Sequence, residues 1–244
     1  MDTPKKPVCI YCQSSPAEEL DHTFPQTWEP DGIGAEVQRV TVPSCKACGA
    51  KLKKAEEQAA LMWMMARGFD RDHPAVAGVY DRVRKTWDAA SAKKPRERQH
   101  RMRRMRSMLS RVQPVVVPPD KAVGSPMMKV RTPAGLWIDA AVAFKFRRAD
   151  LDMIGEKFVR GLYYDRLGSK LLPVGTKFTA FEPPDEVMRQ VGPGLPGGEP
   201  IRGFAYRYIE AENGDGRAIW FFYIWEQVQM GVQVEPPGTS MAAA

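Results

Sequence analysis

Two Cys-x-x-Cys pairs, Cys9 with Cys12 and Cys45 with Cys48, are the residues of this chain whose type and spacing point most directly to a chemistry. Four thiolates at that spacing fit a closed tetrahedral Zn²⁺ site. Free buried thiols or a redox pair would use the same residues. All four cysteines nevertheless lie between positions 9 and 48, whereas a secreted disulfide scaffold would be smaller and spread its cysteines through the fold. Metal ligation is therefore the better reading. The second pair stands at the start of a helical pattern, which also places anionic ligands near the positive end of the helix dipole. A site made of four thiolates leaves no position for water, so zinc would hold the loop between the pairs and do no chemistry itself. Chemistry has to come from that loop, and inside it lies Leu20-Asp21-His22-Thr23-Phe24-Pro25.

That hexapeptide, together with Val40-Thr41-Val42-Pro43-Ser44-Cys45-Lys46-Ala47-Cys48, resembles the HNH endonuclease family. In that family an Asp-His dipeptide sits on the strand between the cysteine pairs, and Val-Pro-Ser-Cys-x-x-Cys leads into the last helix. The resemblance implies a treble-clef, ββα-metal module that hydrolyses phosphodiester bonds in DNA. It also implies Asp21 as ligand of a catalytic Mg²⁺ or Mn²⁺ and His22 as the general base that activates water. Those roles are chemically coherent, because Mg²⁺ prefers carboxylate oxygen and a neutral imidazole takes a proton near pH 7. Two positions depart from the family pattern. Gly49 follows the last cysteine where the family has Asn or His as second metal ligand, and Val40 stands at the family's middle Asn. Lys53, one turn beyond Gly49 and about 6 Å along the axis, could hold a phosphate. Glu56 is about 10.5 Å beyond Gly49, far for an ion shared with Asp21. The segment Gly155-Glu156-Lys157-Phe158-Val159-Arg160-Gly161-Leu162-Tyr163-Tyr164 is similar to one in uncharacterised bacterial proteins of this size assigned to the same family. The alternative is a catalytically degenerate zinc module that binds nucleic acid or a protein partner, with Asp21 and His22 as a capping or hydrogen-bonding pair. A recognition role seated in the C-terminal part is a further rival.

Charge adds a second signal. Lys93 to Arg111 holds nine lysines and arginines against the single acid Glu97, so more than the whole net charge of +7 sits in one segment. A polyanion is the natural partner. Arg98, Arg101, Arg103, Arg104 and Arg106 are the expected phosphate contacts on one helix, with Lys53 beside them; DNA is the expected nucleic acid, and nothing in the pattern reads base sequence. No apolar run reaches the length of a membrane span and the N-terminus lacks a signal-peptide core, so a soluble cytoplasmic protein without membrane contact is expected.

The elements that must position these residues read as an α+β chain. Residues 1–68 form the zinc module and end in a helix with an apolar face of Leu52, Ala55, Ala59, Met62 and Ala66 and a stop at Gly68. A helical basic connector over 69–113 carries helices at Val76–Ala90 and Lys93–Val112, and 114–121 is a proline-rich linker. A C-terminal mixed α/β domain with antiparallel strands fills 122–238, and 239–244 is a disordered tail. Within that domain the spacing predicts a helix over Asp150–Tyr164 and strands over Thr176–Phe181, Gly203–Glu210 and Ala218–Val234, with a loop at 192–200. Trp220, Phe221, Phe222, Tyr223 and Trp225 read as sheet core, although stacking on unpaired bases would use the same rings.

Overall fold

The computed structural model describes residues 7–34, 37–66, 69–115, 127–145, 147–191, 203–211 and 214–239. The described residues are α+β, with five helices, antiparallel sheets and the four cysteines clustered at the N-terminal end. The first cysteine pair lies in a tight turn closed by Cys9 N–H to the Ser15 carbonyl and Gln13 N–H to the Cys9 carbonyl, with Gln13 at φ 53°. Strands β1 (Glu19–His22) and β2 (Thr41–Ser44) then pair antiparallel, setting Asp21 opposite Val42 and His22 opposite Thr41. Cys45 is the N-cap of α1 (Lys46–Met64), so the second pair occupies that helix's first turn. The expected stop at Gly68 lies outside the described residues.

The helix expected over Val76–Ala90 is shorter, α2 (Val79–Lys85). Gly78 begins it at φ 71°, and a Cβ there would run into the Asp31 carboxylate, so the chain turns at the one residue that fits. At the far end the Asp88 side chain accepts from Ala90 N–H and starts a separate 3-10 turn. Helix α3 (Pro95–Leu109) has no buried residue, and Leu109 on its apolar side is exposed. The proline-rich stretch starts as a strand, β3 (Val112–Val115), which pairs with β5 (Trp137–Phe144) in a three-stranded sheet completed by β4 (Met127–Arg131). Residues 116–121 of the expected linker, the loop at 192–200 and the tail from 240 lie outside the described residues.

Helix α4 (Arg148–Arg166) covers one face of a four-stranded sheet of order β6-β9-β8-β7, formed by Lys177–Phe181, Val228–Glu235, Ala218–Ile224 and Phe204–Glu210. Gly155 makes this close, since a Cβ there would meet the Val232 side chain at 2.7 Å. Helix α5 (Asp185–Val191), not expected from the sequence, packs Met188 and Val191 against Phe221 on the opposite face. Both faces of β8 are therefore buried, which is why its aromatic residues run without alternation. The run expected as one strand over Ala218–Val234 is a hairpin. Trp225 and Glu226 both take positive φ, 56° and 59°, and Gln227 N–H closes onto the Ile224 carbonyl. Burial holds that unusual turn: Trp225 is fully enclosed and its indole donates to the Trp28 carbonyl at 2.7 Å.

One hydrophobic core joins Phe24, Trp28 and Trp63 of the N-terminal module to Phe158, Phe222 and Trp225 of the C-terminal elements. Burying such rings is worth about 1.5–3 kcal/mol each, so the cysteine-bearing N-terminal module and the large sheet stabilise one another. No helix among the described residues is long and apolar enough to cross a membrane.

Candidate metal centre and the cleft beside it

The thiol sulfurs of Cys9, Cys12, Cys45 and Cys48 all lie within 4.8 Å of one another, with Cys12 and Cys45 at 3.9 Å. A tetrahedron with Zn–S bonds of about 2.3 Å has edges near 3.8 Å, so the cluster is compatible with a structural zinc. Among the described residues no other group of three or more Cys, His, Asp or Glu side chains gathers closely enough to hold an ion.

Asp21 ends up in a different setting from the one its motif suggests. Its carboxylate meets the ammonium of Lys157, with Nζ at 3.1 Å from Oδ1 and 3.0 Å from Oδ2, and the same ammonium bonds Glu56 Oε1. Lys157 is 1 % exposed. Tyr11, between the first two cysteines, donates its hydroxyl to Asp21 Oδ2 at 2.6 Å. Burial first, and then the Asp21 charge, raises that hydroxyl well above its ordinary pKa, which keeps the donor proton in place. Burial likewise raises the Glu56 carboxyl, while the nearby Lys157 charge pulls it back.

Helix geometry explains the convergence. Glu56 falls on the inward stripe of α1 between Leu52 and Ala59, and Lys157 falls on the inward face of α4 between Ile154 and Phe158. These helices pack against each other, so an acid and a base meet where both stripes would otherwise be apolar. Gly161, one turn after Lys157, lets α4 press onto the end of β1; a Cβ there would sit 2.2 Å from Thr23 Oγ1.

A catalytic divalent ion does not fit these residues. Both Asp21 oxygens are already engaged by Lys157 or Tyr11, Gly49 brings no ligand, and Glu56 is bound to Lys157. The Glu19 carboxylate also fills the space beside Gly49, where a Cβ would meet Oε1 at 2.2 Å. Next to Asp21, His22 is half-buried, and its Nδ1 is enclosed without a hydrogen-bond partner. Burial lowers its pKa against the pull of Glu29 and Asp21, with Lys157 and Arg39 acting in the same direction as burial.

Asp21, His22, Lys53, Glu56 and Lys157 line one cleft of about 860 Å³, whose opposite wall is α3. Glu97, His100, Arg101 and Arg104 face into it, at the i, i+3, i+4, i+7 spacing of one helix face. Arg101 is paired with Glu97, and Arg104 with Glu57 at 3.1 Å. Arg98, Arg103 and Arg106 do not line the cleft; they are exposed and make no ion pair among the described residues. The expected phosphate contacts therefore divide into a paired inner set and an unpaired outer set.

Lys157 and Tyr11 are the residues that sequence reasoning missed. A lysine on the apolar stripe Leu151, Ile154, Phe158, Leu162 was the available signal, since a buried ammonium needs a carboxylate. Arg160 in the same segment is buried, bonded to Glu156 at 2.6 Å and to the Leu172 carbonyl, and belongs to the core edge. Comparison with family models, with curated proteins and with solved structures gives no match.

Proposed function

We propose that this chain is a nucleic-acid-binding protein built on an HNH-type module, with one structural Zn²⁺ held by Cys9, Cys12, Cys45 and Cys48. The order of cysteine turn, two-stranded pair and cysteine-capped helix supports the treble-clef, ββα assignment that the resemblance implies. One observation carries the binding reading: α3 keeps Arg98, Arg103 and Arg106 exposed and unpaired, beside a cleft whose own charges largely cancel in pairs. A solvated helix has no need of such a density of cations, whereas a phosphate backbone does. DNA is the partner to test first. Fluorescence anisotropy of labelled duplex and single strands across salt should give an affinity that falls steeply as salt rises, by about 0.9 in log–log slope per phosphate contact for duplex. Arg98→Gln/Arg103→Gln/Arg106→Gln should flatten that slope by about 2 to 3, and Arg101→Gln/Arg104→Gln by less. An unchanged slope in the first variant reduces the outer arginines to a solvated surface.

A second reading, hydrolysis of the phosphodiester bond with His22 as base, is favoured by burial that holds the imidazole neutral near pH 7. Two features weigh on the other side: Asp21 faces an ammonium, and Nδ1 of His22 lacks the partner that would fix its tautomer. Supercoiled plasmid incubated with wild type and with His22→Ala, in the presence of Mg²⁺ or Mn²⁺, decides between them. Cleavage by wild type that His22→Ala loses establishes the hydrolytic reading.

A further inference from the structure

We propose that the Lys157 ammonium is a resident cation, standing between Asp21 and Glu56 where an HNH-type site would hold a divalent ion, so that the cleft takes up no Mg²⁺ or Mn²⁺ until that charge is removed. This inference rests on reading Asp21 as the metal-side carboxylate of an HNH-type module. Three features carry it. Nζ makes contact with both Asp21 oxygens at 3.0 and 3.1 Å and with Glu56, which is the coordination an ammonium can offer two carboxylates at once. A bound Mg²⁺ would need oxygens at about 2.0–2.1 Å in an octahedron, so both carboxylates would have to close in and the ammonium leave. Its position is set from the α4 side, since Lys157 is 1 % exposed and Gly161 against Thr23 keeps α4 pressed to the strand that carries Asp21.

Charge makes the substitution self-consistent. Two partly buried carboxylates without a counterion would repel each other and attract any divalent cation within reach. Lys157 meets that demand from inside the chain, and Tyr11 takes one further lone pair of Asp21. The motif's carboxylate is thus committed to fastening α4 onto the zinc module. Loss of the Gly49 position as a ligand fits the same arrangement, since no ion there needs one.

The experiment is Mn²⁺ titration followed by the EPR signal of free Mn²⁺, on the zinc-loaded full chain. Wild type should leave the signal unchanged through about millimolar Mn²⁺ beyond the response of an Asp21→Asn control. Lys157→Met, with zinc content and circular dichroism unchanged, should bind one Mn²⁺ at least about tenfold more tightly, and Lys157→Met/Asp21→Asn should lose that site. Wild-type binding that Asp21→Asn abolishes overturns the proposal, and so does a folded Lys157→Met that binds no better than wild type. Lys157→Gln serves if the methionine variant does not fold. On wild type itself, ¹H–¹⁵N spectra of lysine ammonium groups should show one slowly exchanging signal that Asp21→Asn removes and added Mg²⁺ leaves in place. Absence of that signal, or its loss on adding Mg²⁺, also overturns the proposal. Nucleic-acid affinity is read separately by anisotropy, so failure of one does not decide the other.

Discussion

Two places in the N-terminal module gather negative charge around a cation position, and they solve the problem in opposite ways. The cysteine cluster draws all its ligands from Cys9 to Cys48 and offers a tetrahedral hole to an ion from outside. The carboxylate pair takes its cation from Lys157, which lies more than a hundred residues away in the chain, on a helix packed against α1. Tyr11 links the two, since it is part of the cysteine turn and donates to Asp21. One centre thus draws its ligands from a local stretch of chain, while the other exists only when α4 is docked.

Removing zinc should separate them most strongly. Apparent binding free energies of structural zinc are about 10–16 kcal/mol in small modules, as large as the whole stability of a typical domain, about 5–15 kcal/mol. A chelator, or Cys45→Ala, should therefore unfold the cysteine turn and lower the thermal midpoint, with about one zinc per chain lost by elemental analysis. Protein purified with less than half an equivalent of metal that is nevertheless folded would remove the first half of the comparison.

Lys157→Ala should come next. Breaking a buried pair by deleting one partner costs at most about 3–5 kcal/mol, and here Asp21 and Glu56, partly buried at 20 % and 13 % exposure, lose their shared counterion. For a chain of this size that corresponds to a fall in thermal midpoint of about 6–20 °C. Zinc content should stay at one equivalent. Lys157→Met combined with Glu56→Leu and Asp21→Asn should recover much of the loss, since a neutral cluster of similar volume removes the unmet charges. A Lys157→Ala chain as stable as wild type would show that the ammonium is not what fastens α4.

The same contrast explains what could be read from sequence. Cysteine spacing, the helix opening at Cys45 and the basic run on α3 are local facts, and they were legible residue by residue. So was the sheet core, because Trp220, Phe221 and Phe222 are too apolar to lie anywhere else. The turn at Trp225-Glu226 was not, since its positive φ values occur without the Asn or Gly that usually marks such a turn, and tertiary contacts of Trp225 with Trp28, Trp63 and Phe69 hold it in place. Nor was the fate of Asp21. Its neighbours in sequence match a metal site, but its neighbours in space come from α1 and α4, and the division of the α3 arginines likewise depends on Glu57 lying across the cleft.

The smallest expected effect lies at His22, which sits on β1 next to Asp21 and feels the carboxylate centre directly. Its folded-state pKa is lowered below the ordinary 6.5, chiefly by burial, with Glu29 and Asp21 opposing and Lys157 and Arg39 assisting. A lowered value means that the unfolded chain takes the proton first as pH falls. The contribution to stability is therefore fully present above pH 6.5 and is lost as pH drops through the folded value. Thermal midpoints of wild type and His22→Gln, compared at pH 7.5 and 5.5, should diverge by only about a degree or two, with wild type losing more on acidification. His73 and His100 are common to both chains and cancel in that difference. In a Lys157→Met background one repelling cation is gone and the two carboxylates are unmet, so protonation of His22 becomes easier and the wild-type pH slope should shrink or move to higher pH. A slope identical in both backgrounds would mean that His22 titrates without sensing the Lys157 charge, and would cut the link between the motif's histidine and the centre its aspartate helps to build.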